Sequence, residues 1–163
     1  MAQTPVALDH VNVFVRNVQH SYEWYQELFQ FHTQDTMTHP GTDKLRAVFL
    51  SCQKDHAHDL ALFDVGEDAP AQQKRQVGLN HMAWRMASLD DLAEMYERLK
   101  KLDVPHTVRD HMISIGIYFD DPDGNGLEAY YELPKSEWGR ERPFSDPSGK
   151  GRFPGPWDEV INR

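Results

Sequence analysis

A chain that writes its own opening twice has little freedom of architecture. Residues 8–15 read LDHVNVFV and residues 79–86 read LNHMAWRM, each with a His two places after a Leu at the head of a strand-like run. The two His residues lie 81 − 10 = 71 positions apart. Sliding the chain by 71 aligns Leu8 with Leu79, Asp9 with Asn80, Val18 with Leu89, Tyr25 with Tyr96 and Leu28 with Leu99. Both copies then continue through a short polar turn into an amphipathic helix. In SLDDLAEMYERLKKL, Leu89, Leu92, Met95, Tyr96, Leu99 and Leu102 fall at three- and four-residue steps and make one apolar face. Ser88 stands where an N-cap belongs, with Asp91 three residues on. The first copy, VQHSYEWYQELF, is shorter, with Tyr22, Tyr25, Leu28 and Phe29 expected on one side.

Strand candidates follow each helix: KLRAVFLSC and HDLALFDV in the first copy, ISIGIYFDD and GLEAYYEL in the second. DPDGNG between the last two is strong turn chemistry. The layout is therefore a duplicated α+β unit. The first module is expected over residues 1–65, a polar linker over 66–76 and the second module over 77–133. A tail over 134–163, rich in Pro, Gly and aromatics, is expected to be irregular and to pack on the body, with one structural domain overall.

Composition narrows the function classes. With 163 residues the chain can build one core, or two half-domains sharing one. Its 17 basic and 26 acidic residues give a net charge of −9, which argues against a nucleic-acid phosphate binder and against an anionic membrane surface. No apolar run approaches the ~20 residues of a membrane span. MAQTPVALDH has neither a basic nor an apolar leader region, so no signal peptide is expected. The one cysteine, Cys52, permits no internal disulfide and reads as a small strand residue, and a reducing cytoplasm is the simplest home.

Equivalent strands of a duplicated unit bring residues of the same slot to face each other, so His10 and His81 are expected to meet. The last strand of the second copy adds Glu128, where the first copy offers only an apolar stretch near Ala61. Two imidazoles and one carboxylate on one face of a metal leave several positions open. That donor set suits a non-haem Fe(II) centre binding substrate and O₂ together, and Mn(II) suits it as well. Taken singly, each of these three is also a plain strand or surface residue; their paired placement turns the reading towards a metal. His20, His32, His39 and His106 read as helix or loop surface.

Residues 6–133 resemble the vicinal oxygen chelate superfamily, which includes glyoxalases, fosfomycin- and bleomycin-resistance proteins and extradiol ring-cleaving dioxygenases. SIGIYFDDPDGNGLEAYYE is similar to that superfamily's last hairpin. Three features resemble the dioxygenases in particular: the His58-Asp59-Leu60-Ala61-Leu62 strand opening, Tyr118 ten residues before Glu128, and His111 in a loop shortly before Tyr118. Asn12, two residues after His10, also occurs in some of them. Two features depart from the pattern: His111 precedes Tyr118 by seven residues where about nine is expected, and only the catalytic pair of modules is expected here, which makes the chain most similar to the small, one-domain type of extradiol dioxygenase rather than to the many that carry a second, non-catalytic pair. The resemblance implies two tandem βαβββ modules forming a cupped mixed β-sheet around a metal site held by His10, His81 and Glu128. It implies an Fe(II)-dependent cleavage of a small aromatic diol with O₂ as co-substrate, in a possible homo-oligomer. In that reading His58 donates a proton as the O–O bond breaks, Tyr118 hydrogen-bonds a substrate oxygen, and His111 assists from the same side. A glyoxalase- or epimerase-like metal enzyme is the alternative, although those usually have a fourth ligand on the first copy's last strand. A metal-free small-molecule-binding resistance protein is the third reading.

Overall fold

Each copy of the repeat folds as a strand, a helix and three further strands. The computed structural model describes residues 4–138, 153–157 and 160–162. The first copy comprises β1 (Val11–Val15), α1 (Val18–Phe29), β2 (His32–Thr38), β3 (Leu45–Ser51) and β4 (Leu60–Asp64). The second comprises β5 (Met82–Arg85), α2 (Leu89–Lys101), β6 (His106–Asp110), β7 (Ser114–Asp120) and β8 (Gly126–Glu132). The chain divides into two units between Ala71 and Gln72, inside the stretch read as a linker. Each unit has its own mixed sheet, in the orders β1-β4-β3-β2 and β5-β8-β7-β6 with one more strand at its end. In both, the opening strand pairs in parallel with the last, and the other two pairings are antiparallel. The fold is thus α+β and built of two βαβββ modules. Among the described residues, no helix is long and apolar enough to cross a membrane.

The helices start and pack as their sequences dictate. Ser88 caps α2, accepting from the Asp91 backbone N–H at 3.1 Å and donating to its carboxylate at 2.7 Å. Acids sit in the first turn (Asp90, Asp91) and bases in the last (Arg98, Lys100, Lys101), both favourable to the helix dipole. Leu92, Met95, Tyr96 and Leu99 are buried, and the helix packs on β8. Asn17 caps α1 by accepting from the His20 N–H. The buried face of α1 is Val18, Ser21, Tyr25 and Leu28. Tyr22 and Phe29 flank it, half-buried, and the Tyr22 hydroxyl bonds the Thr33 hydroxyl at 2.9 Å.

β2 and β6 carry no clear strand signal. β2 (HTQDTMT) is an edge strand exposed at nearly every position, so no alternation of buried apolar residues marks it. β6 begins with His106, which is half-buried against the Tyr96 ring at 5.1 Å rather than on a free surface. The tail, expected to be irregular, supplies a one-turn helix (Lys135–Glu137) and β9 (Val160–Asn162), which pairs in parallel with β6. The rest of the tail between residues 139 and 152 lies outside the described residues.

Side chains alternate across each strand, so the ladders sort every residue onto one of two faces. In the first unit Val13, Val15, Val48, Leu50, Leu60 and Leu62 are buried on the helix side. The opposite face carries Asn12, Phe14, Phe49, Ala61 and Phe63. In the second unit Met82, Ile115, Ile117, Phe119, Leu127 and Ala129 are buried on the helix side. Its opposite face carries Arg109, Tyr118, Glu128 and Tyr130. The same topology thus presents an apolar face in one copy and a polar face in the other.

Candidate functional site

In the second unit, β7 and β8 set the site's register. Asp121 anchors the turn between them, accepting from the backbone N–H groups of Asp123 and Asn125 at 2.9 Å. That turn pairs Tyr118 directly with Glu128, which is the structural content of their ten-residue spacing. β5 then pairs Ala83 with Glu128, and His81 lies at the head of β5. His81 Nε2 is 3.1 Å from Glu128 Oε2. Glu128 is only 8 % exposed, and Gly116 makes room for it: a Cβ at residue 116 would fall on the Glu128 carboxylate.

A chain of polar contacts continues from this pair. The Tyr118 hydroxyl hydrogen-bonds Glu128 and lies 2.9 Å from His111 Nε2. Burial, and next the hydrogen bond to the Glu128 carboxylate, push the Tyr118 phenol well above its ordinary value of 10.0. It therefore stays a neutral donor near neutral pH. The seven-residue spacing of His111 still delivers its ring, because the loop after β6 is tight. Asp110 accepts from the Met112 N–H at 2.7 Å, Met112 has a left-handed φ of 71°, and the His111 N–H bonds the Ser114 carbonyl.

On its other side, His81 Nδ1 is 2.6 Å from Asn80 Oδ1. An amide oxygen accepts, so Nδ1 carries the proton and the Nε2 lone pair points at Glu128. A lone pair and a carboxylate oxygen facing each other at this distance call for a cation between them, a proton or a metal. The donor set, with one ring oriented by an outer amide, therefore fits a divalent metal ligated by Nε2 and a carboxylate. Among the described residues, no group of three or more His, Cys, Asp or Glu side chains that could hold an ion is gathered.

In the first unit, His10 heads β1 as His81 heads β5. His10 Nδ1 lies 3.4 Å from the Asp9 carboxylate, so each copy has an acceptor one residue before its His. The registers match as well: Asn12 pairs with Ala61 as Ala83 (12 + 71) pairs with Glu128. Ala61 therefore occupies the slot of Glu128, and Phe49, paired with Ala61, occupies that of Tyr118. His58 is half-buried, its ring 4.3 Å from that of His10 and edge-on to Phe49 at 5.3 Å. Neighbouring His56 instead contacts Asp59, with Nε2 at 3.5 Å from its carboxylate. Asn80, Gly116 and Arg109 are absent from the residues singled out by sequence. The 71-residue alignment of Asp9 with Asn80 is the signal that finds Asn80.

Comparison with known proteins agrees with this architecture. The family model for the Glyoxalase/Bleomycin resistance protein/Dioxygenase superfamily matches residues 7–129. A catechol-2,3-dioxygenase of Bacillus subtilis is 33% identical over 84 residues, covering 51% of this chain and 30% of that protein. A biphenyl-2,3-diol 1,2-dioxygenase of Rhodococcus globerulus is 34% identical over 82 residues, covering 49% of this chain and 43% of that protein. The chain thus spans less than half the length of these curated relatives. Among solved structures, a glyoxylase/bleomycin resistance protein/dioxygenase domain from Frankia sp. EAN1pec superposes with a TM-score of 0.64 at 22% identity, covering 79% of this chain and 99% of that one.

Proposed function

Because the chain belongs to the glyoxalase/bleomycin resistance protein/dioxygenase superfamily, we propose that it works within that superfamily as an Fe(II)-dependent extradiol dioxygenase. Its substrate would be a catechol-type aromatic diol. The ring C–C bond beside the diol breaks, both atoms of O₂ enter the product, and a ring-opened semialdehyde or keto acid results with no external reductant. The observation that carries this reading is the polar chain Asn80–His81–Glu128–Tyr118–His111. It joins a metal-suited pair to a neutral phenol and a titratable imidazole.

His81 and Glu128 would hold the metal, with His10 as the third ligand and Mn(II) suited to the same donors. Bound there, the ion supplies a template for diol and O₂ and a path for electrons between them. Asn80 holds the His81 ring so that Nε2 is free to ligate. Tyr118, kept protonated, would turn its O–H from Glu128, then engaged by the metal, to a substrate oxygen, and His111 backs it from the other side of that hydroxyl. His58 donates the proton that O–O cleavage requires, a task suited to a ring of unperturbed pKa ~6.5. An isomerase reading expects a ligand in the slot that Ala61 fills, so the register favours ring cleavage over it.

The test is O₂ uptake by protein loaded anaerobically with Fe(II), across a panel of catechols. Uptake with a yellow product is expected, and His58→Phe should lower it by roughly 10²–10⁴ at matched iron content. No uptake across the panel by iron-loaded wild type sinks the dioxygenase reading. Equal uptake by both proteins overturns the role of His58 and makes His56 the next residue to change. Absence of any bound metal would favour the binding-protein reading.

A further inference from the structure

One cation on the polar face, Arg109, forms no ion pair among the described residues. Arg109 on β6 is in register with Gly116 on β7, so it shares the face of Tyr118, Glu128 and Tyr130. Its guanidinium carbon lies 5.5 Å from the centroid of the Tyr118 ring. Its Nε is buried and has no hydrogen-bond partner among the described residues. The ion pairs formed by the described residues do not include it. Acids are not scarce, since the chain carries 26 of them against 17 bases.

A buried guanidinium N–H without an acceptor forfeits its hydration and gains nothing in return. Such a group asks for an acceptor from outside. The planar fork of N–H donors matches a carboxylate in shape and charge. A second metal ion is repelled by it, and a neutral group satisfies it less well. Gly116, directly across the ladder, has no side chain of its own to serve as partner.

We propose that Arg109 receives an anionic substituent of the substrate, which makes the preferred substrate an aromatic diol bearing a carboxylate. The inference rests on the ring-cleavage reading of the same face and adds the substrate class to it. Its test compares 2,3- and 3,4-dihydroxybenzoate with the matching dihydroxybenzamides. Each is bound anaerobically to the full Fe(II)-loaded chain and followed by calorimetry, so the readout is affinity rather than turnover.

For at least one ring position the acid should bind about tenfold or more tightly than its amide, as a charge-assisted pair provides. That advantage should shrink as salt rises. Arg109→Gln should bring the acid-to-amide ratio towards one, and Arg109→Lys should keep part of it. A wild-type ratio near one overturns the inference whatever the variants do. So does a ratio that survives in an Arg109→Gln protein with an unchanged circular dichroism spectrum. In either case O₂ uptake with unsubstituted catechol leaves the ring-cleavage reading standing. If no diol binds and catechol draws no O₂, both readings fall together.

Discussion

An acceptor placed one residue before a His decides what that imidazole can do. Asn80 Oδ1 accepts the hydrogen bond of His81 Nδ1 and leaves Nε2 for Glu128; Asp9 stands beside His10 Nδ1 in the same way, at a looser 3.4 Å. Gly116 acts by what it lacks. Gly116→Ala should cost little fold stability, because the clash is with the movable end of Glu128. Displacing that carboxylate should weaken metal binding about tenfold or more, as loss of ligand support does, and metal titration beside a urea melt would separate the two effects. Asp59 governs Cys52 in a comparable way. Burial, then the hydrogen bond to Asp59, pushes the Cys52 thiol up to about 11, so thiolate is scarce at pH 8. Asp59→Asn should speed alkylation of Cys52 by iodoacetamide.

The same aspartate has a pH signature. Partial burial works against its ionisation. Donation from the Ser51 hydroxyl at 2.8 Å and from Cys52 outweighs that and holds it below its ordinary 3.8. A depressed carboxylate adds stability above the unfolded value and loses it as pH falls through the folded one. Urea midpoints of wild type should therefore exceed those of Asp59→Asn at pH 7, and the gap should close below pH 3.8. A gap that widens in acid would contradict this sign.

At the scale of elements, the β7–β8 hairpin does most to build the site. Its turn sets a register in which residues ten apart become neighbours, and one slip would send Tyr118 and Glu128 to opposite faces. Helix α2 supports the far side of that sheet through Leu92, Met95, Tyr96 and Leu99. Its start depends on Ser88, which satisfies the Asp91 N–H. Ser88→Ala should cost about 1 kcal/mol, visible as a lower urea midpoint with no change in metal content. A change in metal content would mean that the helix start reaches the site, which the contacts do not suggest.

At the scale of the whole molecule, duplication has divided the labour. Both units keep the strand, helix and three-strand order, yet Ala61 and Phe49 stand where Glu128 and Tyr118 stand in the second. In these equivalent slots the first copy presents its His alone, and the second a His and a carboxylate. The proposed ligand set draws on both sequence halves. His10→Ala and Glu128→Ala should each abolish bound metal as measured by elemental analysis, whereas His58→Phe should retain it. Full retention in His10→Ala would remove His10 from the set.

The repeat of 71, the two helices, the Ser88 cap and the strands with apolar alternation were all legible in the sequence. Each is a local property, a period or a spacing that the chain carries wherever it folds. His81 and Glu128 stood out by their placement in the repeat, and Tyr118 and His111 by the resemblance to the dioxygenase pattern. The edge strand β2 did not, because a strand exposed along its length has no apolar period to show, and β6 did not, because its five residues hold a single aliphatic side chain, Val108. Nor did β9, whose pairing is with a segment some fifty residues away. The unpartnered Nε of Arg109, the room that Gly116 leaves for Glu128 and the Asn80 contact that orients His81 were decided by tertiary structure alone. Cross-strand register and burial determine which side chains meet and which go unpaired, and neither is written in any single stretch of chain.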